Sequence, residues 1–237
     1  MPLHALVSRA AAADAHPVVL VHGLGISSRH MLPTAERLDD EFRVLVPDLP
    51  GYGRSGKPSP SLTLAGLADA LELWLARLGV TTATFVANSY GCQIVVEMAL
   101  RRPDLVERAV LVGPTVDARG RTLRQQSVRL LIDGLREPPS LVLLAATEYL
   151  RAGPRTFVRA TLDALHDRLE SKLPLVTAPT LVVRGARDPL VSDGWAREVA
   201  RLLPHGRLAV VPGAAHAVNY NAPEQLARLV RKFVAEG

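Results

Sequence analysis

The sequence is short of sulfur, aromatic rings and lysine, and each shortage removes a class of protein. Cys92 is the single cysteine among 237 residues, so no internal disulfide can close, and no Cys/His group has the spacing of a zinc site. Neither a metal nor a cofactor is expected. Lysine occurs only at Lys57, Lys172 and Lys232, so the net charge of +5 is carried almost wholly by arginine. With only 4% aromatic residues, there is no long basic stripe interleaved with rings of the kind nucleic acid would need. The densest basic stretch is Arg119, Arg121, Arg124 and Arg129, with Asp117 and Asp133 alongside. Solvated helix faces account for most of this charge, and an anionic substrate drawn to 119–129 stays open. No apolar run reaches the roughly 18 residues of a membrane helix, and the first twenty residues lack a basic-then-apolar signal pattern. The expectation is a cytoplasmic monomer or homodimer with a small-molecule substrate and neither membrane nor nucleic acid as partner.

What is present is a rhythm of strand-like and helix-like runs, in a chain long enough for one sizeable core. After an alanine-rich start with at most one strand at Leu3–Val7, the run Pro17–Val21 is continuously apolar, as in a strand buried on both faces of a parallel sheet. A helix-compatible segment from about Ser28 to Asp40 leads to a second run at Phe42–Val46, the pattern of a parallel crossover. Leu64, Leu67, Ala68, Leu71, Trp74, Leu75 and Leu78 recur at three and four residues, predicting an amphipathic helix capped by Thr63 and stopped at Gly79. Strands follow at Ala83–Ala87, Ala109–Pro114, Thr180–Arg184 and Leu208–Val211, with helices from about Ser192 to Leu203 and after an Asn221 cap. From about Val116 to Leu173 the alternation stops. Three helical patterns, broken at Pro138-Pro139, Gly153-Pro154 and Pro174, read as an inserted helical cap on a core made of 1–115 and 174–237.

The stretch Ala87-Asn88-Ser89-Tyr90-Gly91 stands where an apolar strand meets a helix. A tight turn there lifts the Ser89 hydroxyl clear of the backbone, and the small Ala87 and Gly91 let strand and helix approach. Serine is a weak nucleophile at neutral pH, so it needs a base within reach and an acid to hold that base. Asp188, in Gly185-Ala186-Arg187-Asp188-Pro189, and His216, in Gly213-Ala214-Ala215-His216, each follow a strand-like run at the end where open parallel sheets keep their sites. Asp188 is the candidate acid and His216 the candidate base. Asp117 is an alternative acid. The oxyanion of an acyl-transfer intermediate needs N–H donors: Tyr90, after the nucleophile, and Leu24, in His22-Gly23-Leu24-Gly25, are the candidates, Gly23 and Gly25 allowing close approach.

These motifs together resemble the α/β-hydrolase fold superfamily over nearly the whole chain. His22-Gly23-Leu24-Gly25 resembles its oxyanion loop. Asp48-Leu49-Pro50-Gly51-Tyr52-Gly53-Arg54-Ser55 resembles the Asp-x-x-Gly-x-Gly-x-Ser loop of the lipase, esterase and meta-cleavage hydrolase branch. The order serine, acid, histidine is also that of the family. Asn88 before the serine resembles the Gly-Asn-Ser-Met-Gly elbow of carbon–carbon bond hydrolases, with Ala87 and Tyr90 departing from it. Epoxide hydrolases and haloalkane dehalogenases carry Asp at the elbow, which Ser89 argues against. The resemblance implies an α/β fold with a mostly parallel central sheet flanked by helices and a helical cap after the sixth strand of the family fold. The hairpin that usually opens the fold has almost no sequence here, so about seven strands are expected.

Each residue also has a plainer reading. His22 reads as a hydrogen-bonder under its loop, Cys92 as a small core residue past the turn, and Asp48 and Arg54 as braces. His166 and His205 read as exposed. Ser27 and Ser28 could touch substrate or cap a helix, Asn88 could touch substrate, and Tyr149, Leu150 and Phe157 could line a pocket or pack the cap. The expected activity is that of a cofactor-independent serine hydrolase acting through an acyl-enzyme on a carboxylic ester or lactone of a small, largely apolar molecule. A carbon–carbon bond hydrolase, or a non-catalytic receptor using the same pocket, is the alternative.

Overall fold

The computed structural model describes residues 1–8 and 15–236; part of the alanine-rich start, 9–14, lies outside the described residues. Seven strands form one sheet: β1 (Ala5–Val7), β2 (Pro17–Val21), β3 (Arg43–Pro47), β4 (Ala83–Asn88), β5 (Val106–Val112), β6 (Thr180–Gly185) and β7 (Gly206–Val211). Their order is β1-β3-β2-β4-β5-β6-β7, and every pairing is parallel except the antiparallel edge β1–β3.

The continuous apolar runs are explained by cover on both faces. Val19, Val21, Phe85, Ala87, Ala109 and Leu111 point to one side of the sheet, and their alternates Val18, Leu20, Val86, Val110 and Val112 to the other, the period-two rule applied to a sheet with no wet face. The helices, in chain order, are α1 (Leu32–Ala35), α2 (Leu64–Arg77), α3 (Tyr90–Arg101), α4 (Leu123–Gly134), α5 (Pro139–Ala152), α6 (Pro154–His166), α7 (Leu169–Lys172), α8 (Asp193–Leu202), α9 (Val218–Asn221) and α10 (Pro223–Ala235). Helices α2, α3 and α8 cover the first face and α10, with Met31, Ala35 and Leu38, the second.

The Thr63 hydroxyl accepts from the Gly66 N–H at 3.1 Å and starts α2, and Gly79, at φ +69°, ends its last turn. Two local expectations fail. Ser28–Asp40 is not one helix: its backbone bonds mostly close over three residues, as from His30 to Ser27, Thr34 to Met31 and Arg37 to Thr34. Distant partners hold it in that tight form, because the Ser28 N–H donates to Asp48 and the Thr34 hydroxyl to the Asn219 carbonyl. Asn221 does not cap α10. It ends α9, and its amide donates to Glu137 at 2.7 Å.

Between β5 and β6 lie α4 to α7, in the stretch where the strand rhythm stops. Leu141, Ala152, Ala160, Ala164 and Leu169 bury their side chains, and Gln93 of α3 donates to the Ala164 carbonyl at 3.0 Å. Helix α4 is different: only Asp133 on it is buried, while Leu131 on it and Leu135 just after it are 70% and 82% exposed. Among the described residues no helix is long and apolar enough to cross a membrane.

Candidate active site

Because β2 to β7 run parallel, the loops after β2, β3, β4, β5, β6 and β7 all emerge at one edge of the sheet, and the site is assembled there. Ser89 sits between β4 and α3 with φ 56° and ψ −120°, the one non-glycine residue at positive φ among those described. A side chain rarely tolerates that backbone, and the surrounding contacts hold it there. The Ser89 N–H donates to the Val112 carbonyl at 2.9 Å. A Cβ on Gly91 would lie 2.7 Å from the Val21 carbonyl oxygen and 2.8 Å from that of His22, so the position two after the serine admits no side chain.

His216 follows β7. Its Nδ1 pairs with Asp188 Oδ2 at 2.8 Å, and the acid is itself fixed, its Oδ1 accepting from the Leu190 and Val191 N–H groups at 2.8 and 3.0 Å. Burial on its own would lower the imidazole pKa. The charge and hydrogen bond of Asp188 outweigh it and raise the value to about 9. Gly113, at φ +56°, lies against this pair; a Cβ there would be 2.8 Å from His216 Nδ1. Among the described residues His216 Nε2 has no hydrogen-bond partner. The Ser89 hydroxyl lies 3.4 Å from Thr115 Oγ1. Asp117 is directed elsewhere, accepting from the Ser192 hydroxyl at 2.6 Å and the Arg119 N–H at 3.0 Å.

The loop after β2 passes close over the serine, since a Cβ on Gly23 would stand 3.2 Å from Ser89 Cβ. Among the described residues neither the Leu24 nor the Tyr90 N–H has a hydrogen-bond acceptor. His22 is wholly buried, its Nδ1 on the Gly23 carbonyl and its Nε2 accepting from the Leu49 N–H at 3.0 Å; burial lowers its pKa. Asp48 ties three segments together, accepting from the Ser28 and Arg54 N–H groups and from His4. These two residues brace the loops after β2 and β3. Asn88 is drawn to backbone, its amide donating to the Val112 carbonyl at 3.3 Å and the His216 carbonyl at 3.5 Å.

Ser89, His216, Leu24 and Tyr90 line a cavity of about 440 Å³. Its other walls come largely from α4, α5 and α6 and are mainly apolar, and the exposed Leu123, Leu130 and Val142 stand at its mouth. Tyr149 and Phe157 line it as an edge-to-face pair, ring centroids 5.2 Å apart, and the Tyr149 ring lies where a Cβ on Gly25 would be. Gly23 and Asn88 line the cavity, whereas Ser27, Ser28 and Leu150 do not. Cys92 is buried under the turn, its Sγ on the Ala87 carbonyl, and burial pushes its thiol pKa well up. His166 is exposed. Among the described residues no group of His, Cys, Asp or Glu is arranged to hold a metal.

Among the lining residues not picked out for the site from the sequence are Thr115, His30, Asp133 and Glu137. Thr115 stands just past the end of β5, where the rule that singles out Asp188 applies equally. Asp133 on α4 and Glu137 just past its end sit among the arginines and glutamines of a polar helix, where acids read as solvated charge. His30, whose pKa burial and neighbouring histidines lower to about 3, leaves no trace in the local pattern.

Known proteins share the sequence pattern and the fold. A profile of the Alpha/beta hydrolase family matches residues 18–229. The chain is 30% identical to a Yersinia enterocolitica protein named "Putative carbamate hydrolase RutD", over 93% of this chain and 87% of that one. A thermophilic esterase from Thermogutta terrifontis superposes with a TM-score of 0.84 at 23% identity, over 99% of this chain and 93% of the esterase. An enol-lactonase from Burkholderia xenovorans does so with a TM-score of 0.82 at 20% identity, over 98% and 96%. The two superpositions speak to fold alone.

Proposed function

The chain belongs to the alpha/beta hydrolase family, and from that premise we propose that it is a serine hydrolase acting through an acyl-enzyme on Ser89. The observation that carries the reading is the pairing of a positive-φ serine with a histidine in one cavity. The histidine's Nδ1 is held by Asp188, and its Nε2 is left without a partner. In the proposed reaction Ser89 Oγ leaves Thr115 and attacks the substrate carbonyl while its proton passes to His216 Nε2. Asp188 stabilises the imidazolium that forms and keeps the Nδ1 proton in place. The developing oxyanion takes the free N–H groups of Leu24 and Tyr90. His216 then returns the proton to the leaving alcohol, and water, activated by the same nitrogen, releases the acid.

The apolar walls support a small carboxylic ester or lactone as substrate. A second reading, a carbamate, is favoured by the identity to the RutD protein, and the same residues would then carry a carbamoyl group on Ser89. In both readings 116–173 acts as a cap that roofs Ser89 and sets substrate size. Turnover of p-nitrophenyl acetate and butyrate tests the proposal: Ser89→Ala should abolish it while circular dichroism stays native. Hydrolysis near the wild-type rate in that variant would reject the assignment.

A further inference from the structure

Among the described residues no arginine or lysine lines the cavity, although the chain as a whole carries +5, and the imidazole of His216 in its wall is already paired with Asp188. The arginines of 119–129 are turned away: Arg121 pairs with Glu170, and Arg129 reaches the Leu190 carbonyl and Asp117. Two carboxyl groups do line the cavity, Asp133 of α4 and Glu137 just past that helix's end. Glu137 is saturated, its Oε1 accepting from the Ala217 N–H and its Oε2 from Asn221, both at 2.7 Å. Asp133 is only half used. Its Oδ1 accepts from the His216 N–H at 3.3 Å, and its other oxygen has no hydrogen bond among the described residues. The residue is 6% exposed and lines the cavity. The charges of Asp188, Asp133 and Glu137 all act on His216, and the Tyr149–Phe157 pair contributes aromatic surface to the cavity walls.

We propose that the cavity selects esters whose otherwise apolar frame carries a cationic nitrogen, received by the free Asp133 oxygen and the neighbouring rings. A carboxylate and aromatic faces within an apolar enclosure are the chemistry that recognises such a nitrogen. An anionic substrate meets two acids in these walls, and the His216 imidazole there is already paired with Asp188. As a statement about a substrate this rests on the hydrolase reading; as a statement about what the cavity binds it does not. Asp133 is thus a specificity residue, and its hydrogen bond to the His216 backbone also seats α4 on the histidine loop.

A volume-matched pair tests it: butyrylcholine and the butyrate ester in which a tert-butyl group replaces the trimethylammonium. Wild-type kcat/KM should favour the cation by about tenfold, and Asp133→Asn should bring the ratio near one, whereas Glu137→Gln keeps most of it. Binding of the same two esters to the Ser89→Ala protein, measured by calorimetry, should show the same preference. Turnover of both with no preference, or a preference that survives in Asp133→Asn, overturns the inference and leaves the hydrolase reading standing. No turnover of either, with tighter binding of the cation, supports this inference, and the p-nitrophenyl ester assay then decides the hydrolase reading separately. Should Asp133→Asn not fold, the wild-type ratio and the Ser89→Ala binding pair decide alone.

Discussion

Alanine at Gly113 tests the position of His216 without replacing any proposed catalytic group. Two costs follow from the geometry. The first is backbone: Gly113 has φ +56°, where a Cβ costs on the order of 1–2 kcal/mol. The second is a clash, because the new Cβ would lie 2.8 Å from both Cε1 and Nδ1 of His216 and 3.3 Å from Asp188 Oδ2. Ordinary contact begins near 3.4 Å, so the ring must move by about half an ångström. The Gly113 N–H is tied to the Val183 carbonyl at 2.8 Å, so the backbone yields less readily than the ring. A shift of that size in a group that must meet Ser89 should lower kcat/KM by roughly ten- to a hundredfold. Gly79→Ala separates the two costs. Its φ of +69° is similar, but nothing lies within 4 Å of the added Cβ, so it should lose about 1 kcal/mol of stability and keep its activity. Ester kinetics and thermal unfolding of both variants decide. Equal destabilisation with wild-type kcat/KM in Gly113→Ala would refute the role given to the His216 ring.

Other outcomes follow from the same geometry. Since His216 must be neutral to accept a proton and its pKa is raised to about 9, kcat/KM should climb with pH and level off near that value; a flat profile from neutral to pH 9 would contradict it. The same shift makes protonated His216 a stabilising group fully below its ordinary 6.5, and that contribution fades as pH passes about 9, which thermal melts across the range will register. Asp188→Asn should lower kcat by orders of magnitude, about 10⁴-fold in the best-studied triad, whereas Asp117→Asn, which loosens the start of α8, should act mainly on stability. Tyr149→Ala and Phe157→Ala should change the preference among acyl chain lengths more than the rate with the smallest ester; equal scaling across the series would count against their setting substrate size.

Much of the sheet was legible because buried parallel strands leave an unbroken apolar signature, and Pro17–Val21 and Thr180–Gly185 carry it clearly. Where to look for the site was legible for a related reason. In a parallel sheet every strand delivers its following loop to one edge, so Ser89, Asp188 and His216 could be sought by position as well as type, and the fold brings all three together. What stayed hidden depends on partners far along the chain. Asn221 has the local marks of a helix cap, yet its amide is claimed by Glu137, 84 residues away. The Ser28–Asp40 segment has a helical pattern, yet Asp48 and Asn219 hold it in tight turns. Asp133 reads as the charge of an exposed helix until α4 is seen lying on the His216 loop. No local periodicity encodes which loop a helix will lie upon.

The central claim, that Ser89 is a nucleophile activated by His216, is tested most directly by mapping the adduct of a p-nitrophenyl alkylphosphonate. Mass spectrometry of the digested protein should find one phosphonylated residue, Ser89, with p-nitrophenol released in equal amount and labelling lost in His216→Ala. An unlabelled Ser89 peptide from protein that still hydrolyses p-nitrophenyl butyrate would contradict the claim.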